Sequence, residues 1–136
     1  MTGNRALMLG LLTTGMLSIF STTGCASSNP GPSRFVRPGE PVTLQPGERV
    51  GLPDHSVLRY VAVIADSRCP PGITCVRAGD ADVAFEYSPA TGPGTMVTLN
   101  TDRSPSMPIG PWQLRWLSLE FGDAPAVTVQ VDAGPR

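Results

Sequence analysis

Lysine is missing altogether, and the ten basic residues of this 136-residue chain are all arginine. That excludes a P-loop lysine, a Schiff-base lysine and any lysine-tethered cofactor. Histidine occurs once, at His55, which rules out a metal site built from several imidazoles. Charged residues make up only 15% of the chain and carry a net charge of −1, so no basic surface for nucleic acid is expected. No apolar run reaches the roughly twenty residues that a stable membrane-spanning helix needs. Glycine and proline, by contrast, occur 15 times each, often enough to interrupt helices repeatedly. The 40% hydrophobic content is nevertheless ordinary for a packed protein and too high for wholesale disorder. One small, turn-rich β domain is the expectation.

The chain opens on a short positive stretch ending at Arg5, followed by about fifteen mostly apolar residues from Ala6 to Phe20, the pattern of a signal-peptide core. Thr13, Thr14 and Gly15 dilute this run, and Ser21 to Gly24 end it. The segment Ser21-Thr22-Thr23-Gly24-Cys25 resembles the lipobox of bacterial lipoproteins, in which the cysteine is lipidated and becomes the new N-terminus. On this reading residues 1–24 are a cleaved lipoprotein signal peptide and residues 25–40 are the lipidated Cys25 with a flexible tether. The tether is rich in Pro, Gly and Ser and has no hydrophobic period. Residues 41–136 then form the folded domain. Two or more acyl chains, at about 0.8 kcal/mol per buried CH₂, would hold Cys25 in a membrane durably. The expected address is a bacterial cell membrane or outer membrane, with the domain facing the periplasm or exterior.

Cleavage would remove only Arg5 among the charges, leaving nine arginines against eleven acids and a net charge of −2. The two remaining cysteines, Cys69 and Cys75, form an even pair in an oxidising compartment, and a disulfide is expected. No cofactor and no resident metal is read from the sequence.

From Pro41 onward short β-branched runs alternate with turn clusters, and no window sustains a helical period. Strands are expected at Val42 to Leu44, Arg49 to Leu52, Val57 to Asp66, Ala81 to Ser88, Thr95 to Thr101, Trp112 to Phe121 and Ala126 to Asp132. Val57 to Asp66 is apolar enough to be central. Val83, Phe85 and Tyr87 share one face, as do Val127, Val129 and Val131. In Trp112 to Phe121 the apolar positions change phase after Trp116, which predicts a bulge or a strand that switches sheets. Asp102 to Pro111, with three prolines, is expected as a long loop. The fold class is all-β, a small antiparallel β-sandwich of about seven strands, with a small β-barrel as the alternative.

The segment from Asp66 to Val83 resembles the Asp-Ser-Arg-Cys-Pro … Cys-Val-x-Ala-Gly-x-Ala-x-Val signature of a family of small, uncharacterised bacterial lipoproteins and secreted domains. Arg77 stands where that family usually has Trp. The likeness runs from about Pro41 to Asp132 and includes a Leu-Arg-x-Leu-Ser-Leu strand at Leu114 to Leu119. It implies an exported β domain with a closed Cys69 to Cys75 loop, and brings no activity with it.

Several constellations invite chemistry. Trp112 and Trp116, four apart, would share a strand face as a stacking platform, although core packing accounts for large aromatics in so small a domain. These two and Arg77 are the candidate ligand contacts. Asp66, Asp80 and Asp82 flank the cysteine loop, where calcium or a carboxylate pair is an alternative to turn caps and pairing with Arg68 or Arg77. Cys69 and Cys75 as thiolates, joined by His55, Met96 or Met107, would make a copper-type site. A rigid Pro-Pro loop resembles, faintly, the insertion loops of protease inhibitors. Asp54-His55-Ser56 holds the residue types of a hydrolase triad, but neighbours in one tight turn cannot align, and a side-chain-capped turn explains them better. The function expected overall is a membrane-anchored, non-enzymatic binding or interaction module of the cell envelope. Its partner would be an envelope protein or a small ligand rather than nucleic acid; metal handling is the alternative, and a hydrolase or protease inhibitor a more remote one.

Overall fold

The computed structural model describes residues 30–135; the expected signal peptide, Cys25 and the first residues of the expected tether lie outside them. Nine strands and no helix make up this region: β1 (Arg34–Phe35), β2 (Pro41–Leu44), β3 (Arg49–Gly51), β4 (Val57–Asp66), β5 (Ala81–Ser88), β6 (Thr95–Asn100), β7 (Ser106–Ile109), β8 (Trp112–Leu119) and β9 (Val127–Ala133). They form two sheets, ordered β1-β3-β4-β5-β6 and β2-β9-β8-β7. All pairings are antiparallel except β1 with β3. This is a sandwich rather than a closed barrel, and no helix among the described residues is long and apolar enough to cross a membrane.

The core follows from alternation. In β5, Val83, Phe85 and Tyr87 point inward, and in β9 Val127, Val129 and Val131 do the same. Leu58 and Tyr60 of β4 and Leu114 of β8 meet them between the sheets. Each such fully buried side chain contributes about 1.5 to 3 kcal/mol, so the inner faces dominate the stability. Tyr60 packs its ring 5.6 Å from that of Phe85, and its hydroxyl donates to the carbonyl of Pro125 at 2.9 Å. A buried phenol thus keeps its hydrogen bond while tying β4 to the segment that enters β9.

β4 is central, as its composition predicts, but from Ile64 to Asp66 it is exposed. Two register irregularities, at Tyr60/Ala62 and Val63/Ala65, turn that end of the strand. The phase change in β8 is a bulge between Trp116 and Ser118: Leu117 is the extra residue and is exposed, and Leu119 returns to the core. Phe121, counted within the expected strand, lies beyond its end and is exposed.

Two expectations are corrected. The tether does not run to residue 40: Arg34 and Phe35 pair with Val50 and Gly51, and Val36 is buried, so the folded domain begins before Pro41. The stretch from Asp102 to Pro111 is not all loop, because Ser106–Ile109 pairs with β8. Pro108 is accommodated because β7 ends its sheet. An edge strand needs no N–H on its open side.

Candidate functional site

Beyond the last β4–β5 pair, Asp66 with Ala81, the hairpin continues as a narrow tip. Ser67 N–H donates to the carbonyl of Asp80 at 2.8 Å and Cys69 N–H to that of Ala78 at 2.9 Å. The Ser67 hydroxyl accepts the Asp80 N–H at 3.1 Å. Gly79 has φ +69°, and a Cβ there would run into the Ser67 carbonyl oxygen. Only glycine allows both the left-handed backbone and this approach. The disulfide between Cys69 and Cys75, with Cα atoms 5.9 Å apart, closes the end around the Pro70-Pro71-Gly72 turn. Closing so short a ring removes about 2 to 3 kcal/mol of unfolded-state entropy. Everything from Pro70 to Gly79 is exposed, including Ile73 at 61% and Val76 completely.

Two polar clusters hold the base of this tip. Asp66 accepts Arg68 Nε at 2.9 Å and Nη2 at 2.7 Å, a fork-to-fork pair. Arg68 also donates to the carbonyls of Leu119 and Glu120, each at 2.7 Å, and its guanidinium lies 4.1 Å over the Phe121 ring. The hydrogen bonds from the Arg68 side chain hold the Asp66 carboxyl below its ordinary value against the opposing effect of burial. On the other side, Asn100 Nδ2 donates to Asp80 at 2.8 Å and to Asp82 at 2.6 Å, and Arg103 Nε donates to Asp80 at 3.0 Å. Bonds from Asn100, then Ser67, with Arg103 nearby, lower the Asp80 carboxyl as well. The three acids that sequence reasoning offered for calcium therefore have arginine or amide partners. They are built as turn caps and ion pairs, with Arg68 as expected but with Arg103 in place of Arg77 as the second cation.

A groove of about 330 Å³ runs beside this base, lined by Tyr60, Val63, Ile64, Asp66, Asp123 and Pro125 among others. Arg77 stands on the tip's opposite flank, in a shallow recess of about 370 Å³ shared with Gly79, Asp80 and Asp102.

The tryptophans are elsewhere. Trp112 begins β8 opposite Ile109 and Ala133, at the end of the sandwich that carries the 52–56 turn, whereas Arg77 is at the other end. Both indoles are half-buried and pack against the core, so the platform and Arg77 do not form one site. Trp112 Nε1 donates to Asp54 Oδ2 at 3.0 Å, while Trp116 Nε1 is buried without a partner. Asp54 also accepts the Ser56 hydroxyl at 2.5 Å and its N–H at 3.1 Å. Burial pushes the Asp54 carboxyl upward, but the bonds from Ser56 and Trp112 outweigh it and the net shift is downward. Ser56 is fully buried and bonded straight to the acid, and His55 is turned out at φ 64°. This is a side-chain-capped turn with no nucleophile–imidazole–acid line. The copper-type grouping is likewise not assembled, since Cys69 and Cys75 are bonded to each other and His55 is at the far end.

Sequence reasoning missed Ile73 and Val76 as surface residues. The signal was present, because apolar residues inside a Cys-closed Pro/Gly loop have no strand period to carry them inward. No family model matches the chain, and neither a curated protein nor a solved structure matches it at a significant level.

Proposed function

We propose that the protein is a lipid-anchored, non-enzymatic interaction module of a bacterial cell envelope, held by an acylated Cys25 and engaging a protein partner through the stapled β4–β5 tip. The observation that carries the binding role is the exposure of Ile73 and Val76 on a frame whose mobility the disulfide, two prolines and the Arg68 clamp all reduce. Ordering a contact loop before association lowers the entropy lost on binding. Apolar side chains held out in water otherwise weaken solubility without stabilising the fold. The anchor rests on the leader pattern ending at Gly24-Cys25. The resemblance of Asp66 to Val83 to small exported lipoproteins supports the same address.

Two measurements test this reading. Intact mass of the protein extracted in mild detergent from its own membrane should give a chain beginning at Cys25, with acyl mass and two hydrogens missing at Cys69 and Cys75. A chain without acyl mass overturns the anchor. A photo-crosslinking residue at Val76 should yield one discrete heteromeric adduct in cells, where the same residue at exposed Arg115 of β8 yields none. Equal labelling from both positions, or none from Val76, overturns the tip as the contact.

A further inference from the structure

The two ends of the β4–β5 hairpin lie at opposite ends of the sandwich. Val57 pairs with Ser88 at one, and Asp66 with Ala81 at the other, where the cysteine tip begins. The ten residues of β4 span about 30 Å. Pro30, Gly31 and Pro32 line a recess together with Val57 and Ser88, so the chain that leads from Cys25 enters the domain at the end away from the tip. Ile73 and Val76 are thus held out on the far side of the sandwich from the tether.

Charge is divided between these ends as well. Thr101 N–H donates to the Ala81 carbonyl and Arg68 to the carbonyls of Leu119 and Glu120, so the turns after β6 and β8 lie beside the base of the tip. Those turns and the hairpin base carry Asp66, Asp80, Asp82, Asp102, Glu120 and Asp123; Arg68, Arg77 and Arg103 oppose them, which leaves six acids against three arginines and a net charge of −3. The rest of the described domain has five charges of each sign and is neutral, and four of its five acids are in ion pairs. Among the described residues the ion pairs at the tip end, Arg68 with Asp66 and Arg103 with Asp80 and Asp82, leave out the exposed Asp102 and Asp123. From Cys69 to Gly79 the tip itself holds a single charge, that of Arg77.

We infer that the tip is received by a protein whose apolar cleft is rimmed by basic residues. The inference rests on the tip being the contact and adds the chemistry of its partner. Ile73 and Val76 supply the apolar centre, while the acids, set back at the base, meet the rim rather than the floor of the cleft; an apolar middle with a polar border is the common plan of an interface. An acidic end also draws a cationic partner from a distance and orients it before contact. The same charge selects against other occupants. Two tip ends of this chain would set −3 against −3, and an anionic bilayer or a nucleic acid would be repelled in the same way. A membrane holding Cys25 would in addition lie toward the opposite end of the sandwich, where Pro30 enters.

The test uses cells that make the full-length chain with a photo-crosslinker at Val76. Asp102→Lys together with Asp123→Lys takes the tip end from −3 to +1, and the heteromeric adduct should fall by about tenfold or more. Glu40→Lys, an equally exposed charge reversal just before β2 at the other end, should leave the yield within about twofold, where Asp123→Lys alone, matched to it in charge, should not. If the lysine pair costs the protein its Cys69–Cys75 bridge, Asp102→Asn with Asp123→Asn decides, and should lower the adduct by about threefold. A heteromeric adduct that the charge variants leave undiminished overturns the basic rim and keeps the tip as the contact. An adduct of twice the chain mass, or one carrying lipid, also overturns the inference. No adduct with every acid in place overturns the tip and the inference together.

Discussion

Arg68 reaches from the cysteine hairpin of one sheet to the end of β8 in the other, where its guanidinium lies 4.1 Å above the centroid of Phe121. Its donors are meanwhile taken up by Asp66 and by the carbonyls of Leu119 and Glu120. The side chain is only 12% exposed. Arg68→Ala would leave the Asp66 carboxylate and the carbonyl of Glu120 to water and the partly buried Leu119 carbonyl unmet, and with the lost ring contact the cost should be about 1 to 3 kcal/mol. Arg68→Lys keeps the charge but loses the fork and most of the ring contact, for roughly half that loss. Urea unfolding of the two variants should rank them in that order below the wild type, and equal stability would show that the clamp holds nothing.

Gly79 lies against Ser67 in a way no side chain permits. Gly79→Ala combines a left-handed backbone with a collision against a carbonyl held in the hairpin, and the tip must peel open to relieve it. The cost should be about 2 to 4 kcal/mol, concentrated at the tip. Hydrogen exchange of the Cys69 amide, which donates to Ala78, should accelerate far more than that of amides in β9. Gly72, which has no atom within reach of an added Cβ, should tolerate alanine better, paying only for its positive φ.

Acid and alkaline limits of stability have separate origins. Asp54, Asp66 and Asp80 are all held below the ordinary value of 3.8, so the unfolded chain takes up protons first as the pH falls. Their contribution is present above about pH 4 and is lost as pH drops through the lowered folded values. Burial raises the Tyr60 phenol above 10.0, with Arg68 opposing. Its contribution is present below pH 10 and lost as pH rises through the folded value. Stability curves should therefore stay flat across neutrality. Asp66→Asn should flatten the acid limb at a cost near pH 7, and Tyr60→Phe should flatten the alkaline limb alone.

The strands built on side-chain burial were legible in the sequence, because Val83, Phe85 and Tyr87, and Val127, Val129 and Val131, can only alternate that way between two sheets. The bulge at Leu117 was legible for the same reason, as a change of phase. β1 was not: Arg34 and Phe35 are both exposed, and their pairing with β3 is a matter of backbone alone. β7 was hidden by Pro105, Pro108 and Pro111, although Met107 and Ile109 point inward at period two. Of the candidate site, the Cys69–Cys75 pair could be anticipated from cysteine number and the expected oxidising address. The separation of Trp112 from Arg77 could not, since it depends on which end of the sandwich each strand begins, and that is set by sheet order.

The two indoles should differ in what their N–H groups contribute to stability. Trp112 gives its N–H to Asp54, which also holds the buried Ser56; Asp54→Ala would leave all three donors unmet at once, a loss of about 2 to 3 kcal/mol. Trp116 has a buried N–H with no acceptor, so Trp116→Phe removes a desolvated donor along with some packing area. The two effects offset each other, and the net change should stay within about 1 kcal/mol of wild type. Chemical unfolding followed by far-ultraviolet circular dichroism reads both without relying on the tryptophans as probes. A large loss at Trp116→Phe would mean that packing area outweighs the unmet donor, and a small one at Asp54→Ala would mean that water replaces the carboxylate at the turn.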